Sequence, residues 1–295
     1  MTQNTDLINI LNEKMPSLSK GQKRIAQFLI NHYDEAVYLT ALKLGEIAEV
    51  SESTVVRFAI ELGFDGYPKL QMALKELVKN KLTAAKRMKV SYDILTKRDK
   101  HILKAVLESD ADRIASTLAG ADYRAFDKAV EYIINAKRVY IIGDRSSFAL
   151  SHFLTFYLNF MRDNVINGSA DVACEAFEHI FRIKEGDLLI GISFPRYTNK
   201  TIKAIEYANI KNAKTIAITD SNLSPLVGNA DVSLIAGSDM VSFVDSLVAP
   251  LSLINALLVA ISVNKQCNIA NRLETLEELW GEYKVYSCDT DKNYL

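Results

Sequence analysis

At 295 residues the chain is longer than one small module, and a usual domain size of roughly 100 to 200 residues predicts two domains, each able to bury its own core. A composition of 49% hydrophobic and 24% charged residues, with only 5 Pro and 12 Gly, is that of a folded globular protein and argues against long disordered tracts. The formal net charge of −1 divides unevenly: residues 1–90 carry thirteen Lys/Arg against ten Asp/Glu, residues 91–295 twenty-two against twenty-six. A mildly basic front suits a polyanion partner but does not by itself require one.

Met1 to Asn12 lacks a basic region followed by an apolar block, so no signal peptide is expected. The longest apolar stretch, Leu247 to Val263, is broken by Pro250, Ser252, Asn255 and Ser262 and reads as a buried helix, not a membrane span. A cytoplasmic protein with no membrane partner is the expectation. Cys174, Cys267 and Cys288 form no Cys-x-x-Cys pair and no zinc spacing, which predicts reduced structural thiols. His32, His101, His152 and His179 are scattered, and neither a metal site nor a cofactor is expected.

From Leu18 to about Lys81 the pattern is helical, with Ile25, Phe28 and Leu29 on one apolar stripe and Leu70, Leu74, Leu77 and Val78 on another. Between them lie short helices near Leu42–Ala48 and Glu52–Leu62, the second with Gly63 available to end it. Residues 82–100 are charge-rich with little apolar period and mark an interdomain connection, with the boundary near Val90. Helical stretches follow at Lys100–Leu118 and Tyr123–Asn135.

The texture then becomes β-rich runs separated by helix-length segments: Arg138–Ile142, Asn164–Ile166, Leu188–Ser193, Thr215–Thr219 and Val232–Ile235. Continuous apolar strands alternating with helices predict a parallel sheet covered on both faces, with ligand at the strands' carboxyl ends. The loops after Ile142, Ser193 and Thr219 are therefore the candidate site. Leu273, Leu276, Leu279 and Trp280 make an amphipathic tail that packs on the second domain or across a dimer.

Within Thr40–Gly63, Ser51 is a natural N-cap for the second short helix. Val55, Phe58, Ala59 and Leu62 fall on one face, which leaves Glu52, Ser53, Thr54 and Arg57 near the helix start, the positions a recognition helix offers to the major groove. Ser and Thr bond phosphate or base edges, Arg57 can pair bidentately with guanine or anchor a phosphate, and Glu52 can accept from cytosine. Spacing alone is equally that of a capped amphipathic helix with a polar face.

The stretch Val50–Leu70, VSESTVVRFAIELGFDGYPKL, resembles the N-terminal domain of the RpiR family of sugar-metabolism regulators. The hallmark V-S-x-x-T-V-x-R-F, then L-G-F, then G-[FY] is matched by Val50, Ser51, Thr54, Val55, Arg57, Phe58, Leu62, Gly63, Phe64, Gly66 and Tyr67. The resemblance runs from about residue 7 to 280. It departs at the turn, where the family commonly has Gly and this chain has Glu49, while Gly45 stands where a small Ala is usual; a less ideal turn is expected.

The five-strand region resembles the SIS domain, the sugar-isomerase fold that binds phosphosugars in enzymes and regulators. In that family a Gly-x-Gly-x-Ser loop follows the first strand and a Ser-x-Ser-Gly-x-Thr loop follows a central one, cupping phosphate with hydroxyls and backbone amides. Here they read Gly143-Asp144-Arg145-Ser146-Ser147 and Ser193-Phe194-Pro195-Arg196-Tyr197-Thr198, so Gly143, Ser147, Ser193 and Thr198 match while Arg145 and Arg196 replace glycines. Two outcomes are open: the arginines converge on an anionic ligand, or they face solvent or pair internally, for instance with Asp144. Thr219-Asp220-Ser221 matches a further family loop and adds Thr219 and Ser221 as candidates.

The reading is thus an N-terminal all-α helix-turn-helix domain, residues 1–82, a connection at 83–104, a parallel five-stranded α/β/α SIS-type domain at 105–265 and a helical tail at 266–295. The resemblance implies a transcription regulator with two partners, double-stranded operator DNA and a phosphosugar or related anionic effector, assembled as a homodimer or a dimer of dimers. No catalytic residue is expected. The alternative is a phosphosugar isomerase with a helical appendage, for which Glu175, Glu178 and His179 are the acid/base candidates. No G-x-x-x-x-G-K-[ST] or G-x-S-x-G exists, and the loop after the first strand lacks the further glycines of a dinucleotide fold.

Overall fold

A computed structural model describes residues 7–37, 39–81, 101–169, 176–238, 244–264 and 269–286. The expected connection at 82–100 with its boundary at Val90, the side chains of Val78 and Glu175, and all three cysteines lie outside the described residues. The chain divides into two compact units, Met1–Lys100 and His101–Leu295.

Among the described residues of the first unit there are six helices: α1 (Leu7–Lys14), α2 (Lys20–Asn31), α3 (Tyr33–Ala36), α4 (Ala41–Ile47), α5 (Glu52–Glu61) and α6 (Tyr67–Lys81). Their starts are chemically marked. Ser19 opens α2 in a reciprocal capping box with Gln22, and Thr40 opens α4 by accepting from the Lys43 amide. Each such cap contributes about 1 kcal/mol. Leu11, Ile25, Leu29, Leu44, Phe58, Leu70 and Leu74 form a fully buried core, each worth roughly 1.5–3 kcal/mol of burial. Helix α1 was not expected; Leu7 and Leu11, four apart, close that core from the amino-terminal side.

Below this core the Tyr67 hydroxyl donates to the Leu39 carbonyl at 2.8 Å, and Gln71 Nε2 donates to the same oxygen and to Val37. These bonds hold the α3–α4 connection onto α6. Burial pushes the Tyr67 phenol up to about 12.

The second unit contains α7 (Ile102–Ala119), α8 (Tyr123–Asn135), β1 (Val139–Gly143), α9 (Ser147–Met161), β2 (Val165–Asn167), α10 (Ala176–Ile180), β3 (Leu188–Ile192), α11 (Asn199–Ile210), β4 (Lys214–Thr219), β5 (Val232–Ile235), α12 (Val248–Ser262) and α13 (Ile269–Glu282). The sheet is wholly parallel in the order β2-β1-β3-β4-β5. Alternate strand residues face opposite layers, as the two-residue period requires. Ile141, Ile190, Ile192, Ile216 and Ile218 pack on α8, α9 and α12, while Tyr140, Ile142, Leu189 and Ala217 pack on α10 and α11. Because both faces are covered, β1 and β3 are buried at every position.

Strand β1 is flanked by β2 on one side and β3 on the other, so the chain reverses its direction of winding between β1 and β3. That is the switch point where ligands of doubly wound sheets bind. At the opposite end, the buried Asp187 carboxylate receives Arg138 Nη2 at 2.7 Å, Arg138 Nε at 3.1 Å and the Lys184 amide at 3.0 Å. This clasp fixes the register of β1 against β3, with Val139 opposite Leu188 and Gly143 opposite Ile192. The tail helix α13 lies on α9, where Trp280 meets Phe160 edge to face and Arg272 pairs with Asp163 at 2.9 Å. Among the described residues no helix is long and apolar enough to cross a membrane.

Candidate nucleic-acid interface and effector loops

Helices α4 and α5 make a helix-turn-helix, and the turn explains the two sequence departures together. Val50 N–H donates to the Gly45 carbonyl at 2.8 Å, and a Cβ on Gly45 would stand 2.8 Å from the Val50 carbonyl oxygen. Glycine at 45 therefore permits a closer approach of the turn to α4 than alanine would. Glu49 takes the left-handed conformation with φ of 53°, where a non-glycine residue costs roughly 1–2 kcal/mol. Arg24, reaching across from α2, offsets this. Its Nε donates to Ala48 O at 2.9 Å, its Nη2 to Glu49 O at 2.5 Å, and its Nη1 lies 3.7 Å from the Glu49 carboxylate. The orphan carbonyls at the end of α4 are thus capped by a side chain 24 positions away.

Ser51 caps α5, its hydroxyl accepting from the Thr54 amide at 3.3 Å and contacting the Ser53 and Thr54 hydroxyls at 2.9 and 2.8 Å. Val55, Phe58, Ala59 and Leu62 are buried, whereas Ser51, Glu52, Ser53 and Arg57 are exposed and Thr54 is half-buried. Arg57 lies back along the helix with Nε on the Ser53 carbonyl at 3.3 Å. It borders two shallow surface grooves, one shared with Ser19, Gln22 and Thr54, the other with Glu52 and Ser53. The first two turns of α5 therefore present hydroxyls, one carboxylate and one guanidinium along one surface. Ser19 and Gln22 at the start of α2 flank that surface, and sequence reasoning passed over them.

In the second unit, Gly143 ends β1 and its N–H donates to the buried Ser169 hydroxyl at 2.8 Å, which in turn donates to Ser151. A Cβ here would stand 2.7 Å from the Ser147 carbonyl, so only glycine lets α9 start this close to the strand. Arg145 adopts φ of 57°, the conformation glycine favours, and is exposed. Ser146 is also exposed and donates to the Asp245 carboxylate at 2.9 Å, while Ser147 is buried at the start of α9.

After β3, the buried Ser193 hydroxyl accepts from the Thr198 amide at 3.2 Å. Thr198 caps α11 and its hydroxyl donates to Asp144 at 3.4 Å. Since β1 and β3 are neighbours, the amino ends of α9 and α11 emerge side by side, and their helix dipoles make this end of the sheet favourable to an anion. Asp144 pairs with Lys200 at 3.6 Å, not with an arginine. Arg145 and Arg196 are both exposed and form no ion pair among the described residues. Lys200 adds a cation in the first turn of α11, an unusual place for one, and that oddity was the signal by which it was open to detection.

The third loop differs. Thr219 is fully buried, and its hydroxyl lies 2.8 Å from the Ser224 hydroxyl, to which it donates, and 3.4 Å from the Asp220 carboxylate. Ser221 is half-buried and accepts from the Leu223 amide at 3.0 Å, a turn-forming bond. Asp220 is held by the Tyr197 hydroxyl at 2.8 Å, which ties this loop to the one after β3. Of the isomerase candidates, Glu178 is exposed on the short α10 and His179 is half-buried against Gly168. Among the described residues no group of three or more His, Cys, Asp or Glu stands as a metal site.

The fold and these two regions define a class: a helix-turn-helix unit joined in one chain to a doubly wound phosphosugar-type domain. Residues 5–81 match the helix-turn-helix domain of the rpiR family and residues 132–260 match the SIS domain. The chain belongs to the RpiR family of helix-turn-helix transcriptional regulators. It is 24% identical over 95% of its length to an uncharacterised HTH-type transcriptional regulator of Caldanaerobacter subterraneus, covering 99% of that protein. It is 22% identical over 92% of its length to the HTH-type transcriptional regulator HexR of Pseudomonas aeruginosa, covering 95% of it. The sugar isomerase domain of an RpiR transcription factor from Sphaerobacter thermophilus superposes with a TM-score of 0.55 at 28% identity, over 61% of this chain and 98% of that one. The Vibrio vulnificus NanR protein, solved in complex with ManNAc-6P, gives a TM-score of 0.60 at 20% identity, over 96% and 100% of the two chains, a likeness of fold.

Proposed function

We propose that this protein is a cytoplasmic, homodimeric transcription regulator of carbohydrate genes whose grip on operator DNA is set by a phosphorylated sugar or related anion bound in the SIS domain. The observation that carries this reading is the union in one chain of an exposed, Ser51-capped helix bearing Arg57 with a SIS domain whose switch-point loops carry Arg145 and Arg196. The solved complex of NanR with ManNAc-6P supports the ligand class.

In this reading, Ser51, Glu52, Ser53, Thr54 and Arg57 meet the major groove, with Arg57 on a base edge or phosphate. The ligand's phosphate lies between the amino ends of α9 and α11, among the Gly143–Ser147 and Ser193–Thr198 backbone, and draws in Arg145 and Arg196. Two guanidiniums in place of two glycines exchange close backbone approach for charge-assisted bonds, which suits a ligand with more than one acidic group. In this reading the protein is no enzyme, because an isomerase has no use for a DNA-reading helix.

Gel shift against the promoter of its own operon, across a salt series and a panel of sugar phosphates, tests the whole. The expected result is a sequence-specific shift that responds to one sugar phosphate, without turnover of that sugar. Arg57→Ala is expected to weaken specific binding by about 10- to 100-fold and to lower the salt slope by about one if it meets phosphate. In isothermal titration, Arg145→Ala and Arg196→Ala are each expected to weaken the sugar phosphate about tenfold. Unchanged affinity in both variants overturns the arginine assignment, and turnover without a specific shift overturns the regulator reading.

A further inference from the structure

Helix α7 is the first described helix after the 82–100 connection, and it is attached in an unusual way. Its only fully buried residue is charged: Arg113, with a side chain 8% exposed. Ile102, Leu103, Leu107, Ile114 and Leu118 are all exposed, so no large apolar side chain of α7 is sealed in the core. What holds it to its unit besides partial packing on α12 is a set of polar bonds to the stretch between β5 and α12.

Those bonds are specific. Asp110 Oδ1 accepts from Arg113 Nη1 at 3.0 Å and from the Ser246 hydroxyl at 2.7 Å. Thr117 Oγ1 accepts from the Gly237 amide at 3.0 Å. The neighbour of Ser246, Asp245, is the acceptor for Ser146 in the loop after β1. Consecutive residues 245 and 246 therefore hold the candidate effector loop with one side chain and α7 with the other. The joint is also not closed among the described residues: there Arg113 Nε is buried without a hydrogen-bond partner, as is the Ser238 hydroxyl nearby in sequence to Gly237. A buried polar group without a partner is costly, and a rearrangement that supplies one is favoured.

We propose that Asp110 and Ser246 form a joint that transmits occupancy of the Ser146 loop to α7, and through α7 to the connection that leads to the DNA-binding unit. Ser246 and Asp110 are positioning residues that act through Ser146 and Arg113, and neither touches the ligand. A helix held by a few polar bonds is the natural mobile element here, because exchanging hydrogen-bond partners moves it without opening an apolar core. A phosphate that engages Ser146 competes for its hydroxyl, takes that bond from Asp245, and so shifts the bond that Ser246 makes to Asp110. This inference rests on the effector reading of the loops given above.

The test is amide hydrogen exchange of α7 in the full chain, with and without saturating N-acetylmannosamine 6-phosphate or glucose 6-phosphate, beside isothermal titration of the same sugars. Ligand is expected to change the exchange of α7 amides by at least about fivefold, the scale of a useful coupling. Ser246→Ala is expected to retain ligand affinity within about twofold yet lose most of that change, and Ser246→Thr, which keeps the hydroxyl, to restore it. If the unaltered chain binds neither these sugars nor any other sugar phosphate of the panel above, the effector reading falls and this joint with it. If it binds one and Ser246→Ala responds as the unaltered chain does, the joint alone is overturned. A loss of ligand affinity in Ser246→Ala that Ser246→Thr fails to recover also overturns it, since Ser246 then merely shapes the loop.

Discussion

In the helical unit the candidate reading residues are held by bonds spanning two to four positions, from Ser51 to Ser53 and Thr54 and from Arg57 to Ser53. In the sheet unit the effector loops are held by bonds spanning 26, 54 and 99 positions: Gly143 to Ser169, Thr198 to Asp144 and Ser146 to Asp245. The difference teaches how each region can fail. A recognition edge built locally survives so long as α5 is helical and anchored by its buried face. A candidate site built from distant loops depends on the whole β1–β3 register, so perturbation anywhere along it reaches those loops. The exception next to the recognition edge is Arg24, a long-range clamp that holds the α4–α5 turn.

That contrast is broken most directly at Gly143. Gly143→Ala puts a methyl 2.7 Å from the Ser147 carbonyl and forces α9 away from β1. A cost of about 3 kcal/mol to the sheet unit, loss of sugar-phosphate binding and an unchanged helical-unit transition are expected by calorimetry and titration. If both units destabilise together, their independence is wrong.

A smaller effect is expected at the clamp. Arg24→Ala leaves the Ala48 and Glu49 carbonyls without their donors and removes the compensation for the left-handed Glu49. A loss of about 1–2 kcal/mol is expected, seen as a lower urea midpoint for the helical unit alone. Adding Glu49→Gly to Arg24→Ala is expected to recover about half of it, because glycine adopts that conformation without strain.

The smallest effect sharpens the picture of the helical core. Burial raises the Tyr67 phenol from 10.0 to about 12, so the folded state holds this proton more tightly than the unfolded chain does. Its stabilising contribution is therefore complete below about pH 10 and is lost as pH rises toward 12. Tyr67→Phe is expected to cost about 1 kcal/mol at pH 8, limited because Gln71 still donates to the Leu39 carbonyl, and to remove part of the alkaline loss. Denaturant midpoints at pH 8 and pH 11 read both.

Much of this was legible beforehand, and the residues say why. The cap at Ser51, the buried face of Val55, Phe58, Ala59 and Leu62, and the five apolar runs that became β1 to β5 are all local patterns, repeated within one helix or one strand. Helix α1 escaped because its eight residues offer only a short apolar period. Thr219 shows what a local match leaves out: its sequence context names a loop, but the bond of its hydroxyl to Ser224 inside the fold is not written in that context.

What the sequence determined by itself, then, was the kind of element at each stretch, the helix starts and the order of strands and helices, because propensity, capping and period act over a few neighbouring residues. Only the tertiary structure decided that Asp144 would answer to Lys200 and Thr198, that Arg24 would close a turn 24 positions away, and that residues 245 and 246 would join the Ser146 loop to α7. Those pairings follow from which strands lie side by side and which helices cover them. They are settled by the burial of a whole sheet, and no short window of residues contains that information.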